Sequence, residues 1–296
     1  IQACVPSAKE HQGAGLHQDL QDRIMEVILI GDIHGRTIWK QIVESHPDAD
    51  HYVFFGDYFD PYEDIPYWEL AKNFKAIVQL KREMGDRVVL LLGNHDLHYY
   101  ADVEQCSRFD YLNSARIGNL FKESLHLFQV AFEFEGVLCT HAGVSPSWCS
   151  AHIGDWSNLK SLAARINGLH KKNSEEFAFY KGDRSGYGEN EMQGPMWIRP
   201  KSLLKSCQSN DQQHWMQVIG HTQSEFLHNT HVLSIDHLEL NIYWTFNMVD
   251  KNQFKIGFYP ETKGLFKKQI QYSKYRNHPG ERLECPMYLQ AFKRVC

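Results

Sequence analysis

Short apolar runs recur along the first third of the chain, each followed by a glycine and then by polar residues. They lie in VILI (27–30), HYVFFGD (51–57) and DRVVLLLGNHD (86–96). Such runs predict strands that are buried on both faces. Between them, TIWKQIVESHP (37–47) and PYWELAKNFKAIVQLKREMG (66–85) place apolar residues at helical spacing. This alternation of strands and helices with short links predicts an α/β fold with a layered architecture.

The pattern changes after the third strand. Further strands are predicted in four stretches: FQVAFEFEGVLCTHAG (128–143), HWMQVIGHT (214–222), HVLSID (231–236) and ELNIYWTFNMVDKNQFKIGFY (239–259). The first is expected to be a hairpin that turns at Glu135-Gly136, and the last a hairpin that turns at residues 250–252. Between residues 145 and 200 the periodicity is weak, and glycine and polar residues accumulate in YKGDRSGYGENEMQGP (180–195).

One domain is predicted, over residues 25–260. Residues 1–24 are mostly polar and are expected to be an N-terminal extension, either disordered or added for expression. Residues 261–296 carry many lysines and arginines without a clear period. They are expected to form a basic C-terminal tail whose charges are solvated.

The composition excludes several classes of protein. The chain is 43% hydrophobic and 23% charged, which is typical of a globular domain. Its formal charge of −5 gives no electrostatic reason to bind nucleic acid, and no apolar run approaches the roughly 20 residues that cross a membrane. Seven scattered cysteines without a CxxC pair predict reduced thiols and a cytoplasmic location. Nothing in the sequence indicates the oligomeric state.

Five predicted strands end in residues that can bind metal: Asp32 and His34, Asp57, Asn94 with His95, His141, and His221. Ligands collect at the carboxyl ends of strands in α/β sheets. A mixture of oxygen and imidazole donors suits manganese, iron or zinc rather than calcium. Six such groups can hold two divalent ions if one carboxylate bridges them, and paired ions serve phosphoryl displacement. His95 is then a candidate acid for the leaving group, with Asp60 orienting it.

Five motifs occur in order: GDIHG (31–35), GDYFD (56–60), GNHD (93–96), THAGVSP (140–146) and VIGHT (218–222). Together they resemble the calcineurin-like metallophosphoesterases, and within them the phosphoprotein phosphatase family and its bacterial relatives. The resemblance covers about residues 25–245. It implies a four-layer α/β/β/α sandwich of two mixed β-sheets, with a dimetal site at the strand ends.

The resemblance also implies a role for each residue. The two divalent ions, with manganese favoured, would be held by Asp32, His34 and Asp57 and by Asp57, Asn94, His141 and His221, with Asp57 as the bridge. His95 would protonate the leaving oxygen and Asp60 would hold His95 in place. A hydroxide shared by the ions would attack phosphorus in line, without a phosphoenzyme.

The second motif departs from the family pattern, because Pro61 and Tyr62 stand where the family has Arg-Gly. One phosphate-binding arginine is therefore missing, and its bidentate hydrogen bonds cannot come from proline. Arg199 in GPMWIRP is the candidate for the remaining phosphate clamp, since bacterial relatives carry a similar Trp-x-Arg. Arg184 in KGDRSGYG could substitute for the missing arginine, but a solvated charge is the favoured expectation for it and for Arg36.

Three functions remain open. The favoured one is hydrolysis of phosphomonoesters, on phosphoserine or phosphothreonine proteins or on small phosphorylated metabolites. GNHDLH (93–98) and the missing arginine favour dinucleoside polyphosphate hydrolysis, of the diadenosine tetraphosphate type, as the alternative. A catalytically inactive metal-binding scaffold is disfavoured because every expected ligand and the acid are present. Gln223, after the last motif, argues against a nuclease.

Overall fold

The computed structural model describes residues 25–208, 215–223, 232–250, 253–260 and 268–273. The predicted extension over residues 1–24 and most of the predicted tail lie outside these residues. No helix among them is long and apolar enough to cross a bilayer.

Two β-sheets form the centre of the molecule. In chain order the described strands are β1 (Glu26–Ile30), β2 (His51–Phe54), β3 (Val88–Leu91), β4 (Phe128–Gln129), β5 (Ala131–Phe134), β6 (Val137–Thr140), β7 (Met216–Ile219), β8 (Val232–Ser234), β9 (Ile242–Asp250), β10 (Gln253–Pro260) and β11 (Lys268–Ser273). The larger sheet has the order β11-β10-β9-β1-β2-β3-β4, and the smaller one has the order β5-β6-β7-β8. Both sheets are mixed: β1 to β4 are parallel and β9 to β11 antiparallel, while β5 is antiparallel to the parallel set β6 to β8.

Helices cover the outer faces of the sheets. The described α-helices are α1 (Trp39–Ser45), α2 (Tyr67–Met84), α3 (Asn94–Tyr100), α4 (Ser114–Ser124), α5 (Pro146–His152), α6 (Leu159–Lys172) and α7 (Pro200–Gln208). Leu203 of α7 packs with Ile219 of β7 and Val232 of β8, so this helix covers the outer face of the smaller sheet.

The continuous apolar runs of β1 to β3 follow from burial on both faces. Val27 and Leu29 belong to the core between the sheets, together with Val218 of the smaller sheet. Ile28 alternates with them and packs in the cluster that contains Phe74 of α2. Successive side chains of a strand point to opposite faces, so a strand between two apolar layers needs apolar residues at every position. The layers are therefore α/β/β/α, as the sequence resemblance implies.

The second half of the fold differs from the sequence prediction. Residues 128–129 form β4 of the larger sheet, so only β5 and β6 form the predicted hairpin. Its turn is at Glu135-Gly136, where both residues have positive φ (43° and 85°), as two-residue hairpin turns require. The β9–β10 hairpin agrees with the prediction, although residues 251–252 at its turn are not described. Strand β11 lies in the segment predicted to be a tail, and pairs with β10.

The segment from residue 145 to residue 200, where the periodicity is weak, contains two helices, α5 and α6. Ser145 caps α5 by accepting a hydrogen bond from the Trp148 backbone N–H, and Pro146 occupies the first helical position. Asn158 caps α6 in the same way, through the Ser161 backbone N–H. The buried residues of α6, Leu162, Ala163, Ile166 and His170, lie at helical spacing, so the sequence carried a signal for this helix that the weak overall period obscured.

His170 links α6 to α3 in the core. Its Nε2 atom lies 2.9 Å from the Tyr100 hydroxyl oxygen. Burial lowers the pKa of His170 from its ordinary value of 6.5 to about 4. Because the pKa is lower in the folded state than in the unfolded state, the unfolded chain binds the proton more strongly. Stability is therefore lost as the pH falls from 6.5 towards 4.

We expect His170→Gln to remove this acid sensitivity. Between pH 7 and pH 5 the free energy of unfolding of the parent protein should fall by about 2 kcal/mol more than that of the variant. The measurement is urea unfolding at both pH values. His126→Gln, at an exposed site on the same domain, is the matched control. Equal pH dependence of the His170 variant and the parent would show that His170 does not carry this effect.

Candidate metal centre

The carboxyl ends of five strands meet at one edge of the two sheets. The residues that they present are Asp32 and His34 after β1, Asp57 after β2, Asn94 at the start of α3 after β3, His141 after β6, and His221 after β7. Asp32, His34, Asp57, Asn94 and His141 are buried. The structure thus brings all six predicted metal ligands to one place.

Asp57 and Asn94 lie at the middle of this group. Asp57 Oδ2 is 3.5 Å from His34 Nε2 and 3.5 Å from His141 Nε2. Asn94 Oδ1 is 3.0 Å from His141 Nε2 and 3.1 Å from His221 Nδ1. Donor atoms of Asp32, Asp57 and His141 all lie within 4.8 Å of one another, a spacing that one metal ion can span. The central place of Asp57 fits its predicted role as a bridge.

The tautomers of His34 and His141 direct their Nε2 lone pairs at Asp57 Oδ2. His34 Nδ1 lies 2.9 Å from the carbonyl oxygen of Phe59, and His141 Nδ1 lies 2.6 Å from that of Phe55. A carbonyl oxygen only accepts hydrogen bonds, so each Nδ1 carries the proton. Burial lowers the pKa of both imidazoles, that of His141 to about 3, so each Nε2 has a free lone pair. These lone pairs face Asp57 Oδ2, an arrangement that is repulsive unless a cation lies between them.

The burial of two carboxylates also indicates that a cation belongs at this site. Burial raises the pKa of Asp32 well above its ordinary value, and the neighbouring Asp236 carboxylate raises it further. Burial likewise raises the pKa of Asp57, with Asp96 adding to the effect. Two buried carboxylates without a positive partner are costly, and a divalent cation is the partner that suits this donor set. The residues therefore fit a divalent dimetal site.

The backbone around the site contains left-handed residues and glycines that let the candidate ligands lie close together. Non-glycine residues with left-handed φ cluster here: His34 (41°), Asp57 (53°), Asp60 (56°) and His221 (64°). Such conformations cost about 1–3 kcal/mol each and collect at functional sites. A Cβ atom on Gly93 would lie 2.1 Å from Asp57 Oδ1, and one on Gly220 would lie 2.3 Å from Asp32 Oδ1. Only glycine fits at these two motif positions.

His95 and Asp60 form the predicted pair beside the metal ligands. The Nδ1 atom of His95 lies 2.8 Å from Asp60 Oδ2, and the His95 ring centroid is 5.3 Å from that of His34. Burial raises the pKa of Asp60, but contacts with His95, His98 and Tyr99 outweigh it and leave the pKa below its ordinary value. Asp60 is therefore an anion that orients His95 and leaves its Nε2 atom for chemistry.

The sequence did not indicate the residues that support this pair. His98 Nε2 lies 2.9 Å from Asp60 Oδ2, and the Tyr99 hydroxyl donates to Asp60 Oδ1. His95, His98 and Tyr99 are at positions i, i+3 and i+4 of α3, on one helical face. That spacing was the available signal, but no helix was predicted there.

Asp96 is a second supporting residue. Its carboxylate accepts backbone hydrogen bonds of 2.8 Å from Asp57, Tyr58 and Gly93. It therefore links the second motif, which contains Asp57, to the third motif, which contains Asn94. Both residues are candidate metal ligands. Burial raises the pKa of Asp96 to about 7, against the effect of these hydrogen bonds.

His95, His98 and Cys106 also place donor atoms within 4.8 Å of one another. However, His98 Nδ1 accepts a hydrogen bond from the Cys106 backbone N–H, so its Nε2 carries the proton and points to Asp60. Neither ring atom of His98 offers a lone pair to an ion. This group belongs to the framework that holds His95.

Arg199 lies next to the last motif. Its Nη1 donates to Thr222 Oγ1 at 3.0 Å and to the His221 carbonyl oxygen at 3.4 Å, and its Nε donates to the Tyr187 carbonyl oxygen at 2.7 Å. The structure thus brings the predicted phosphate clamp to the edge of the candidate metal centre.

The other two arginines considered from the sequence behave differently. Arg184 is exposed, as expected. Arg36 is not solvated: its side chain is only 13% exposed and lies between Glu63 and Glu239, at 3.9 and 3.7 Å. The turn after the first motif folds against these carboxylates, so the charge of Arg36 is already paired.

We expect Asp57→Asn to reduce the bound manganese from two ions per chain to one or none, because it weakens the candidate bridge. His95→Asn should retain both ions, since His95 contacts Asp60 and is not among the predicted ligands. Elemental analysis after equilibrium dialysis against Mn²⁺ measures the content. Equal loss of metal in the two variants would contradict this division of roles.

Comparison with known proteins agrees with the geometry. A model of the calcineurin-like phosphoesterase family matches residues 25–228. The serine/threonine-protein phosphatase 6 catalytic subunit of Drosophila melanogaster is 30% identical over 131 residues. This match covers 40% of the present chain and 40% of the length of that relative.

Solved structures share the fold at low sequence identity. The cold-active protein-tyrosine phosphatase of a psychrophile, Shewanella sp., has a TM-score of 0.54 and 18% identity, over 86% of this chain and 81% of that chain. A second structure of a cold-active protein tyrosine phosphatase has a TM-score of 0.53 and 18% identity, over 83% and 79% of the two chains. The family model covers more than half of the sequence, and the chain therefore belongs to the calcineurin-like phosphoesterase family of hydrolases, as its five motifs predict.

Proposed function

We propose that this phosphoesterase is a dimetal-dependent phosphatase that hydrolyses phosphomonoesters, with phosphoserine or phosphothreonine proteins as the favoured substrates. The observation that carries the proposal is the clustering of six donor residues, in which Asp57 contacts His34 and His141, with the His95–Asp60 pair directly beside them. The partial match to a serine/threonine phosphatase catalytic subunit supports the substrate class.

We propose the same metal-ligand assignment that the family resemblance implies. Asp32, His34 and Asp57 hold one ion, and Asp57, Asn94, His141 and His221 hold the other. When bound, such a pair of ions neutralises phosphate charge and makes water a stronger acid. Manganese is proposed because mixed oxygen and imidazole donors suit it, with iron or zinc as the alternatives.

The residues of the chain then position and protonate the substrate. Arg199 donates hydrogen bonds to the phosphate oxygens from the side of the last motif. His95 gives the proton on Nε2 to the leaving oxygen, and Asp60 holds the ring through Nδ1 and stabilises its protonated form. We also propose a cytoplasmic location, since Cys106, Cys139 and Cys149 are unbridged thiols.

A second candidate is dinucleoside polyphosphate hydrolysis on the same residues. Two exposed aromatic side chains favour it: Tyr62, which follows the second motif, is 55% exposed, and Tyr187, whose carbonyl binds Arg199, is 72% exposed. Exposed aromatic rings beside a phosphate site can stack on nucleobases. A catalytically inactive scaffold is disfavoured, because every candidate metal ligand and the candidate acid are present and lie together.

The two candidates separate in one assay. Manganese-loaded protein is given a phosphoserine or phosphothreonine peptide and, in parallel, diadenosine tetraphosphate, and phosphate and nucleotide products are quantified. We expect a higher kcat/KM for the peptide. Preference for the dinucleotide would select the second candidate, and activity on neither substrate nor on small phosphomonoesters, with two ions bound, would favour the scaffold.

We expect Arg199→Ala to weaken product inhibition by inorganic phosphate by about tenfold or more, because hydrogen bonds to charged groups contribute about 1.5–3 kcal/mol. The inhibition constant is measured with the manganese-loaded protein. Arg184→Ala removes an exposed arginine of a nearby segment of the chain and is the matched control. An unchanged inhibition constant in Arg199→Ala would exclude Arg199 from the phosphate site.

A further inference from the structure

A second arginine reaches the place where the motif lacks one. Arg108 lies in the segment between α3 and α4, far in sequence from the second motif. Its Nε atom donates a hydrogen bond of 3.0 Å to the carbonyl oxygen of Asp60, the residue directly before Pro61. The guanidinium is thus attached to the same turn that would carry the family's arginine.

The side chain of Tyr62 supports this guanidinium. The Arg108 Cζ atom lies 3.8 Å from the Tyr62 ring centroid, which is within cation–π distance. The same ring contacts the His34 imidazole edge-on, with centroids 5.1 Å apart. Arg108 is therefore separated from a candidate metal ligand by one aromatic ring.

The charge of Arg108 is not neutralised by a carboxylate. No Asp or Glu of the described residues lies within ion-pair distance of Arg108, and its side chain is exposed. Arg36 also lies near Tyr62, at 5.7 Å, but Glu63 and Glu239 pair with it. Of these two arginines beside Tyr62, Arg108 is the one with hydrogen-bonding capacity left for an anion.

The backbone of Arg108 is a further observation. It is left-handed, with φ of 63°. An exposed non-glycine residue in this conformation is strained, and such strain is retained where the surroundings fix a functional geometry.

We propose that Arg108, supported by Tyr62, binds the substrate phosphate in place of the arginine that Pro61 replaces. The proposal rests on the proposed function, since it needs a phosphoryl group at the metal centre. Arg108 then acts from the second-motif turn and Arg199 from the last-motif segment. A guanidinium gives paired hydrogen bonds to two phosphate oxygens, so two arginines favour a phosphomonoester dianion over a diester anion.

The alternative is that Arg108 only ties its loop to the carbonyl of Asp60. Comparison of monoester and diester hydrolysis separates these roles. We expect Arg108→Ala to lower kcat/KM for p-nitrophenyl phosphate by about 10- to 100-fold, as loss of charged hydrogen bonds predicts. For bis(p-nitrophenyl) phosphate the loss should be several-fold smaller. Arg108→Lys should fall between Arg108→Ala and the parent, because lysine keeps the charge but not the fork.

The matched control is Arg116→Ala in α4, which removes an exposed arginine that lies over Tyr67 instead. Its monoester and diester activities should equal those of the parent. Equal losses of both activities in Arg108→Ala would assign a structural role to Arg108 and overturn the proposal. Unchanged monoester hydrolysis in that variant would overturn it as well.

A binding measurement keeps this proposal separate from the proposed function. Inorganic phosphate is titrated into the manganese-loaded proteins by calorimetry, and we expect Arg108→Ala to weaken its affinity by about tenfold or more, with unchanged metal content. If the parent protein hydrolyses none of the esters, the proposed function fails, and the titration alone decides the role of Arg108. Equal phosphate affinity of the parent and Arg108→Ala would overturn the proposal in either case.

Discussion

The site depends on one constraint, which is the repulsion among carboxylate oxygens and imidazole lone pairs that face one another at the strand ends. Asp57 meets two imidazole lone pairs at 3.5 Å, and Asp32 adds a second buried carboxylate. Without other restraints, these side chains would rotate away from one another. The groups are held in place by backbone carbonyls that bind the Nδ1 atoms, by residues with left-handed φ and by two motif glycines. Because this repulsion destabilises the folded state, binding of cations between the groups stabilises it.

The same framework couples the metal centre to the acid. Asp96 ties the turn that carries Asp57 to the start of α3, and α3 carries Asn94 and His95. Asp60 holds His95 with its carboxylate, while its backbone carbonyl holds Arg108. In the proposed mechanism, a single turn thus positions both the proton donor and a phosphate-binding cation, although their sequence positions are far apart.

The sequence predicted the first three buried strands and the six donor residues because both signals are local. Runs such as VILI (27–30) report burial directly, and each motif follows its own strand. The support of Asp60 by residues of α3 was not predicted, since no apolar period indicated that short helix. Arg108 was missed for a different reason: its guanidinium reaches Asp60 from 48 residues away, and only tertiary structure shows that contact. The paired state of Arg36 depends on tertiary contacts too.

Electron paramagnetic resonance of the manganese-loaded protein tests the central claim most directly. If one carboxylate of Asp57 bridges two ions, they lie about 3.5–4 Å apart and their spins are exchange-coupled. The predicted result is a coupled dimanganese spectrum that Asp57→Asn abolishes. Spectra of isolated Mn²⁺ ions at saturating metal would contradict a bridged two-metal centre.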